Sequence, residues 1–130
     1  MTLEQLENYR GLVAEVNLLS QQIENLYNTY HSPSFSSSGS FNGEAKSPVE
    51  DAVKKIMSLD AEYLKKKNKM SDEAMHIENW LNTVDDAFIR ACIRCHYMLG
   101  YTWNETNRKV YGYNNYYNAR KAVYRYFGRE

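Results

Sequence analysis

Proline and glycine are scarce, 2 and 6 in 130 residues. Each hairpin of a β sandwich or barrel needs its own turn residues, so this scarcity argues against a turn-rich all-β fold and leaves helices as the default. Cysteine is equally sparse. Cys92 and Cys95 are the only two, and three residues apart on a helix they cannot staple distant segments, which excludes a disulfide framework. No apolar run approaches the roughly 18 residues that cross a bilayer, and Met1 to Arg10 lacks a basic start followed by an apolar stretch, so a cytosolic protein with no membrane partner is expected. Catalytic signatures are missing as well: no G-x-x-x-x-G-K-S/T loop, serine nucleophile elbow, H-E-x-x-H or recurring acidic pair is found. A non-enzyme without a cofactor is expected.

What is present, 43% hydrophobic, 25% charged and 14% aromatic, suits a folded chain of one domain or two very small ones. The formal net charge is zero, but the charges are not mixed evenly. From Met1 to Asp85 there are 8 basic and 13 acidic residues, a net of −5; from Asp86 to Glu130 there are 8 basic and 3 acidic, a net of +5. A polyanion is therefore attracted to the C-terminal third and repelled by the rest.

Periodicity organises the chain as follows. Leu12, Val16, Leu19, Ile23, Leu26 and Tyr30 alternate steps of four and three, a heptad seam on a helix that can run from Leu3 to Tyr30. His31 to Pro48 holds seven serines, two glycines and both prolines, and reads as a flexible connection with Phe35 and Phe41 as its bulky anchors. Ser47 then suits a helix cap and Pro48 a first helical position. The following helix carries a seam at Val49, Val53, Ile56, Asp60, Tyr63, Lys67, Met70, Ala74, Ile77 and Leu81. The predicted architecture is all-α: an antiparallel helical hairpin over 1–82, with the Ser/Gly-rich loop at 31–48, followed by a three-helix unit over 83–130. Two stripes alone bury little area, so the hairpin is expected to form a homodimer or higher oligomer.

Punctuation tightens after Asn82. Thr83 to Asp86 can cap a helix whose inward face is Phe88, Ile89, Cys92, Cys95, His96 and Leu99, ended by Gly100. Thr102-Trp103-Asn104-Glu105 is a capping box opening a helix to about Tyr111. A turn at Gly112 follows, and Asn114 or Asn115 caps a last helix through Phe127. This is a helix-turn-helix by length. In its last helix Ala119, Ala122, Val123, Tyr126 and Phe127 form the apolar stripe. Asn115, Tyr117, Asn118, Lys121, Tyr124 and Arg125 then point outward, with Arg108, Lys109, Arg120 and Arg129 on neighbouring surfaces. Asn and Arg can read base edges bidentately, Lys meets phosphate, and Tyr donates to phosphate. Double-stranded DNA is the partner these residues fit.

The run Cys95-His96-Tyr97-Met98-Leu99-Gly100-Tyr101-Thr102-Trp103-Asn104-Glu105, with Lys109 to Asn114 and Ala119 to Phe127, resembles the C-terminal part of phage-encoded sigma-factor-like regulators. These are the RinA/ArpU-type late transcriptional activators and their small phage relatives, with an R-Y-x-x-G-x-T-W-x-E-I-A-x-x-L-G-Y-S stretch leading into a recognition helix. The likeness extends to a long first helix, a Ser/Gly-rich loop and a helix beginning Pro48-Val49-Glu50. It implies a region-4-like helix-turn-helix on promoter DNA, and an N-terminal hairpin for self-association or contact with RNA polymerase or another host protein. The sequence departs from the pattern at Thr106-Asn107, where the family has Ile-Ala, at His96 for Arg, at Asn114 for Ser, and at Asn118, where an apolar residue is common.

Other features weigh less. Cys92-Ile93-Arg94-Cys95-His96 matches the covalent haem attachment pattern, but that chemistry needs export, and no second C-x-x-C pair follows to make a zinc site. Lys65 to Lys69 reads as a solvated helix face. Eight of the 12 tyrosines fall between Tyr97 and Tyr126, a density that also suits base stacking. The alternative to a DNA regulator is a protein-binding inhibitor or adaptor of phage origin on the same fold, suggested by the zero net charge and by Thr106 and Asn107.

Overall fold

The computed structural model describes residues 1–30 and 48–129. The Ser/Gly-rich connection with Phe35 and Phe41, and the cap expected of Ser47, lie outside the described residues. Helix α1 spans Leu3–Tyr30, α2 Pro48–Leu81, α3 Ala87–Ile93, α4 Trp103–Tyr111 and α5 Tyr117–Tyr126; a π-helical turn, Arg94–Met98, continues α3. The fold is all-α. Helices α1 and α2 form a long antiparallel pair, and the three short helices pack together. Among the described residues there is no strand, and no helix is long and apolar enough to cross a membrane.

Two compact units divide the chain, Glu15–Asn68 and Met1–Ala14 with Lys69–Glu130. In the first, Val16 and Ala52 are the fully buried apolar side chains among the described residues. Leu19, Ile23, Leu26, Ile56, Leu59 and Tyr63 are half-buried. Lys66 Nζ lies 3.2 Å from Glu15 Oε2 and 3.9 Å from Glu62 Oε1. One row of the expected α2 seam is corrected here. Val53, Asp60 and Lys67 are exposed, and their places are taken by Ala52, Leu59 and Lys66, one residue earlier in each turn. Turning Asp60 inward would desolvate a charge without a partner. The observed phase leaves it in water and lays the lysine stem at position 66 along the apolar stripe.

The second unit has one core, drawn from Leu3, Leu6 and Tyr9 of α1, Ile77 and Leu81 of α2, and Val84, Ile89, Cys92, Ile93, Tyr97, Trp103, Ala119 and Val123 of the C-terminal region. The three short helices therefore do not close a core alone. Fewer than 50 residues bury too small a share of their surface, and the first turns of α1 and the end of α2 supply the missing wall. Arg10 Nε donates to His96 O at 3.0 Å and its terminal nitrogen to Gly100 O at 3.5 Å. A cation on helix-end carbonyls satisfies orphan acceptors and opposes the helix dipole. Arg94 pairs with Glu78, and the Arg90 guanidinium donates to Val84 O.

The inward face expected after Asp86 also needs correction. Asp86 does cap α3, its carboxylate accepting from Phe88 N at 2.8 Å and Ile89 N at 3.3 Å. Ile89, Cys92 and His96 are buried, but Phe88 and Leu99 are exposed, Cys95 is half-buried, and Ile93 and Tyr97 take the inward places. Leu99 N donates to Arg94 O, five residues back, at 2.9 Å. The wider π turn delays the rotation of the helix, so Leu99 is carried out of the face that a 3.6-residue period assigns to it. Phe88 lies instead against Tyr111, ring centroids 5.5 Å apart.

Candidate nucleic-acid interface

The candidate surface is built on α4, the following turn and α5. Gly100, at φ +80°, lets the chain reverse, and Thr102 caps α4: its Oγ1 accepts from Glu105 N at 3.1 Å while its hydroxyl donates to Glu105 Oε1 at 3.0 Å. Gly112, at φ +91°, ends α4 with its N–H on Arg108 O. A left-handed residue here is cheap only for glycine.

Two asparagines then organise the start of α5. Asn115 Oδ1 accepts from Tyr117 N at 2.7 Å and Asn118 N at 3.0 Å. The third donor, Ala119 N, is satisfied from across the turn by Asn107 Oδ1 at 2.9 Å, and Asn107 Nδ2 donates to Tyr113 O at 2.8 Å. Asn107 and Thr106 are both fully buried. The amide at 107 thus joins three pieces of the motif at a point where an apolar side chain could only pack. Thr106, by contrast, has a buried hydroxyl with no hydrogen-bond partner among the described residues.

The residues singled out from sequence fall into distinct roles. Arg120, Tyr124, Tyr117, Lys121, Arg125 and Asn118 follow one another around about 160° of the α5 circumference at 100° per residue. Tyr117, Asn118, Lys121 and Arg125 are exposed on that arc. Asn115 lies beside it with its carbonyl oxygen spent on the cap. Arg120 is half-buried, its guanidinium carbon 5.6 Å from the Tyr116 ring centroid and 4.8 Å from that of Tyr124, and Tyr124 itself packs edge-on to Trp103 at 6.4 Å. On α4, Arg108 and Lys109 are exposed, and the Lys109 ammonium sits 4.8 Å from the Tyr101 ring centroid. Arg129 Nη2 pairs with Glu4 Oε1 at 3.2 Å.

Sequence reasoning missed Tyr113 and Tyr116, both about half exposed at the turn. The signal for Tyr116 is the spacing Tyr116, Arg120, Tyr124, one side chain every four residues on the same face. Tyr113 gave none, because its phenol meets Asn118 Nδ2 only once the turn has formed.

No family model, no curated protein and no solved structure matches the chain. The chemistry of the surface must therefore be judged on its own residues. Between Thr106 and Arg129 the sequence holds Arg108, Lys109, Arg120, Lys121, Arg125 and Arg129 and no Asp or Glu. Such a surface attracts phosphates.

Beneath it, His96 is buried and stacked on Trp103, centroids 3.7 Å apart. Burial pushes its pKa down to about 4, helped by Arg10 and opposed by the bond to Tyr101 O. Its Nδ1 lies 2.7 Å from that carbonyl, so Nδ1 carries the proton and the ring is neutral at pH 7. Burial likewise raises the Cys92 thiol to about 11 and raises that of Cys95. Thiols held protonated are poor nucleophiles and poor ligands. Among the described residues, no three His, Cys, Asp or Glu side chains form a group able to hold a metal ion.

Proposed function

We propose that the chain is a sequence-specific DNA-binding transcriptional regulator of the phage type, with α4 and α5 as its helix-turn-helix and α5 entering the major groove of a duplex. The observation that carries this reading is the placement of charge. Five cations, Arg108, Lys109, Arg120, Lys121 and Arg125, belong to two capped helices in a stretch with no carboxylate from Thr106 to Arg129. The exposed Asn118 and Lys121 lie in the first half of α5, where recognition helices contact base edges. The resemblance to sigma-like phage activators points the same way, and a regulator of that kind acts in the host cytosol.

Salt dependence tests it. With five phosphate contacts, log K falls against log salt with a slope of about −4.5, so affinity drops about 500-fold between 50 and 200 mM salt. Fluorescence anisotropy on a labelled duplex measures this. Lys121→Ala with Arg125→Ala brings the slope to about −2.7 with unchanged helicity. A double variant that keeps the parent slope, or a chain that binds no duplex at 50 mM salt, refutes the reading.

A second reading, a protein-binding inhibitor or adaptor with RNA polymerase or another host protein as target, draws on the exposed Tyr113, Tyr116 and Tyr117. Tyrosine is enriched at protein interfaces. A stoichiometric complex with one host protein, in a chain with no salt-sensitive duplex affinity, favours it. Under either reading the hairpin of residues 15–68 serves self-association. Its described residues bury two apolar side chains fully while Leu18, Val53, Met57 and Leu64 are exposed, and two helices alone give little core. Light scattering at micromolar concentration is expected to give the mass of a dimer or larger; the mass of one chain excludes it.

A further inference from the structure

We infer that Asn118, held in one orientation by Tyr113, selects an adenine in the major groove, and that Tyr113 is a positioning residue for this choice. The inference rests on the DNA-binding reading above and names what its recognition helix reads. Asparagines crowd this region, but their amides are not equivalent. Asn107 is buried with both amide ends bonded. Asn115 gives its carbonyl oxygen to two backbone N–H groups. Asn118 is exposed in the first turn of α5, and among the described residues its side chain makes one bond, from Nδ2 to the Tyr113 phenol oxygen. A second N–H and the whole carbonyl oxygen remain to face outward.

One donor beside one acceptor is the complement of the adenine edge, which offers N7 as acceptor and the N6 amino group as donor. Guanine presents two acceptors there, so the carbonyl oxygen of Asn118 would oppose O6. Cytosine offers only its amino donor, and thymine sets a methyl group beside O4. Tyr113 matters because a solvent-exposed amide otherwise samples several rotamers. The bond to the phenol holds the Asn118 side chain in place and removes that freedom before the duplex arrives. The phenol keeps its own proton for a phosphate oxygen, and Lys121, in the next turn, lies on the same exposed arc of α5.

The test uses the full chain and a random duplex pool. Selected duplexes are re-measured with each of the other three base pairs placed in turn at every conserved position, for the wild type, Asn118→Ala and Tyr113→Phe. For the wild type, one adenine is expected to be preferred about 5- to 150-fold, the discrimination of a bidentate pair. Asn118→Ala abolishes preference at that position alone. Tyr113→Phe lowers it about 3- to 10-fold, the cost of ordering one free side chain. Both variants keep the salt slope, since neither removes a cation. A wild-type site whose adenines are insensitive to Asn118→Ala overturns the inference, and so does a Tyr113→Phe protein with unchanged or sharper selectivity. Failure of the wild type to bind any duplex overturns the parent reading as well, and is distinguished by the absence of a salt slope.

Discussion

Asn107 carries more of the motif's stability than its small amide suggests. Truncation to alanine removes the bond to Tyr113 O, about 1 kcal/mol net for a neutral pair, and orphans the buried N–H of Ala119, which costs a further 1–3 kcal/mol or so. Asn107→Ala is therefore expected to destabilise the C-terminal unit by about 2–4 kcal/mol, read as a lower urea midpoint in far-UV circular dichroism. Asn107→Leu keeps the branching at Cγ, adds volume to a fully buried site, and suffers the same hydrogen-bond loss. Asn107→Asp separates bonding from shape. A protonated carboxyl can donate to Tyr113 O and accept from Ala119 N, whereas a buried carboxylate cannot donate and confronts the carbonyl. Its folded pKa is thus raised above the unfolded value, so stability is retained below about pH 3.9 and lost as pH rises through the folded pKa. The difference in stability between wild type and Asn107→Asp is expected to widen from pH 4 to pH 7. A cost under 1 kcal/mol for Asn107→Ala, or a pH-independent Asn107→Asp penalty, refutes this account of the turn.

His96 gives an opposite pH signature. Its folded pKa of about 4 lies below the usual 6.5, so the stability held by the neutral ring is full above about pH 6.5 and is lost as pH falls towards 4. The loss is at most about 3 kcal/mol. His96→Phe, which keeps an aromatic ring beside Trp103, is expected to flatten the dependence of the thermal midpoint between pH 7 and 5. The corrected α2 phase predicts that Leu59→Ala costs about 1–2 kcal/mol while the exposed Asp60→Ala is neutral within about 0.5 kcal/mol. Equal costs at the two positions contradict the phase.

The sequence announced most of the local structure. Asp86, Thr102, Asn115, Gly100 and Gly112 bracket their helices because capping and left-handed turns depend on one side chain and its immediate neighbours. Heptad spacing marked the two long helices for the same reason. Facing was less legible. The alternatives for α2, with Asp60 and Lys67 or with Leu59 and Lys66 inward, differ by one residue, and the local pattern favours neither strongly. The π turn at Arg94–Met98 has no letter that announces it, so Leu99 was assigned to a face it does not occupy; Phe88, upstream of that turn, lies against Tyr111 instead.

The charge surface of α4 and α5 was readable because an acid-free run from Thr106 to Arg129 is a property of composition. Which of its polar residues face outward was readable only in part: Tyr117, Asn118, Lys121 and Arg125 are exposed as expected, while Asn115 and Tyr124 are half-buried. Asn115 looks like a further recognition side chain on paper, and Asn107 like a polar intrusion on a packing face; the folded chain uses both to complete the first turn of α5. Tyr113 had no visible role until the turn placed its phenol beside Asn118.

Sequence alone thus determined that this protein is helical, where most helices stop, and that its charge is polarised along the chain, since each depends on neighbours within a turn or on composition. Tertiary structure decided that residues 1–14 and 69–82 close the C-terminal core, which side of α2 is dry, and which asparagines are bound rather than free. Those outcomes depend on partners far along the chain, and only packing brings such partners within hydrogen-bond or van der Waals distance.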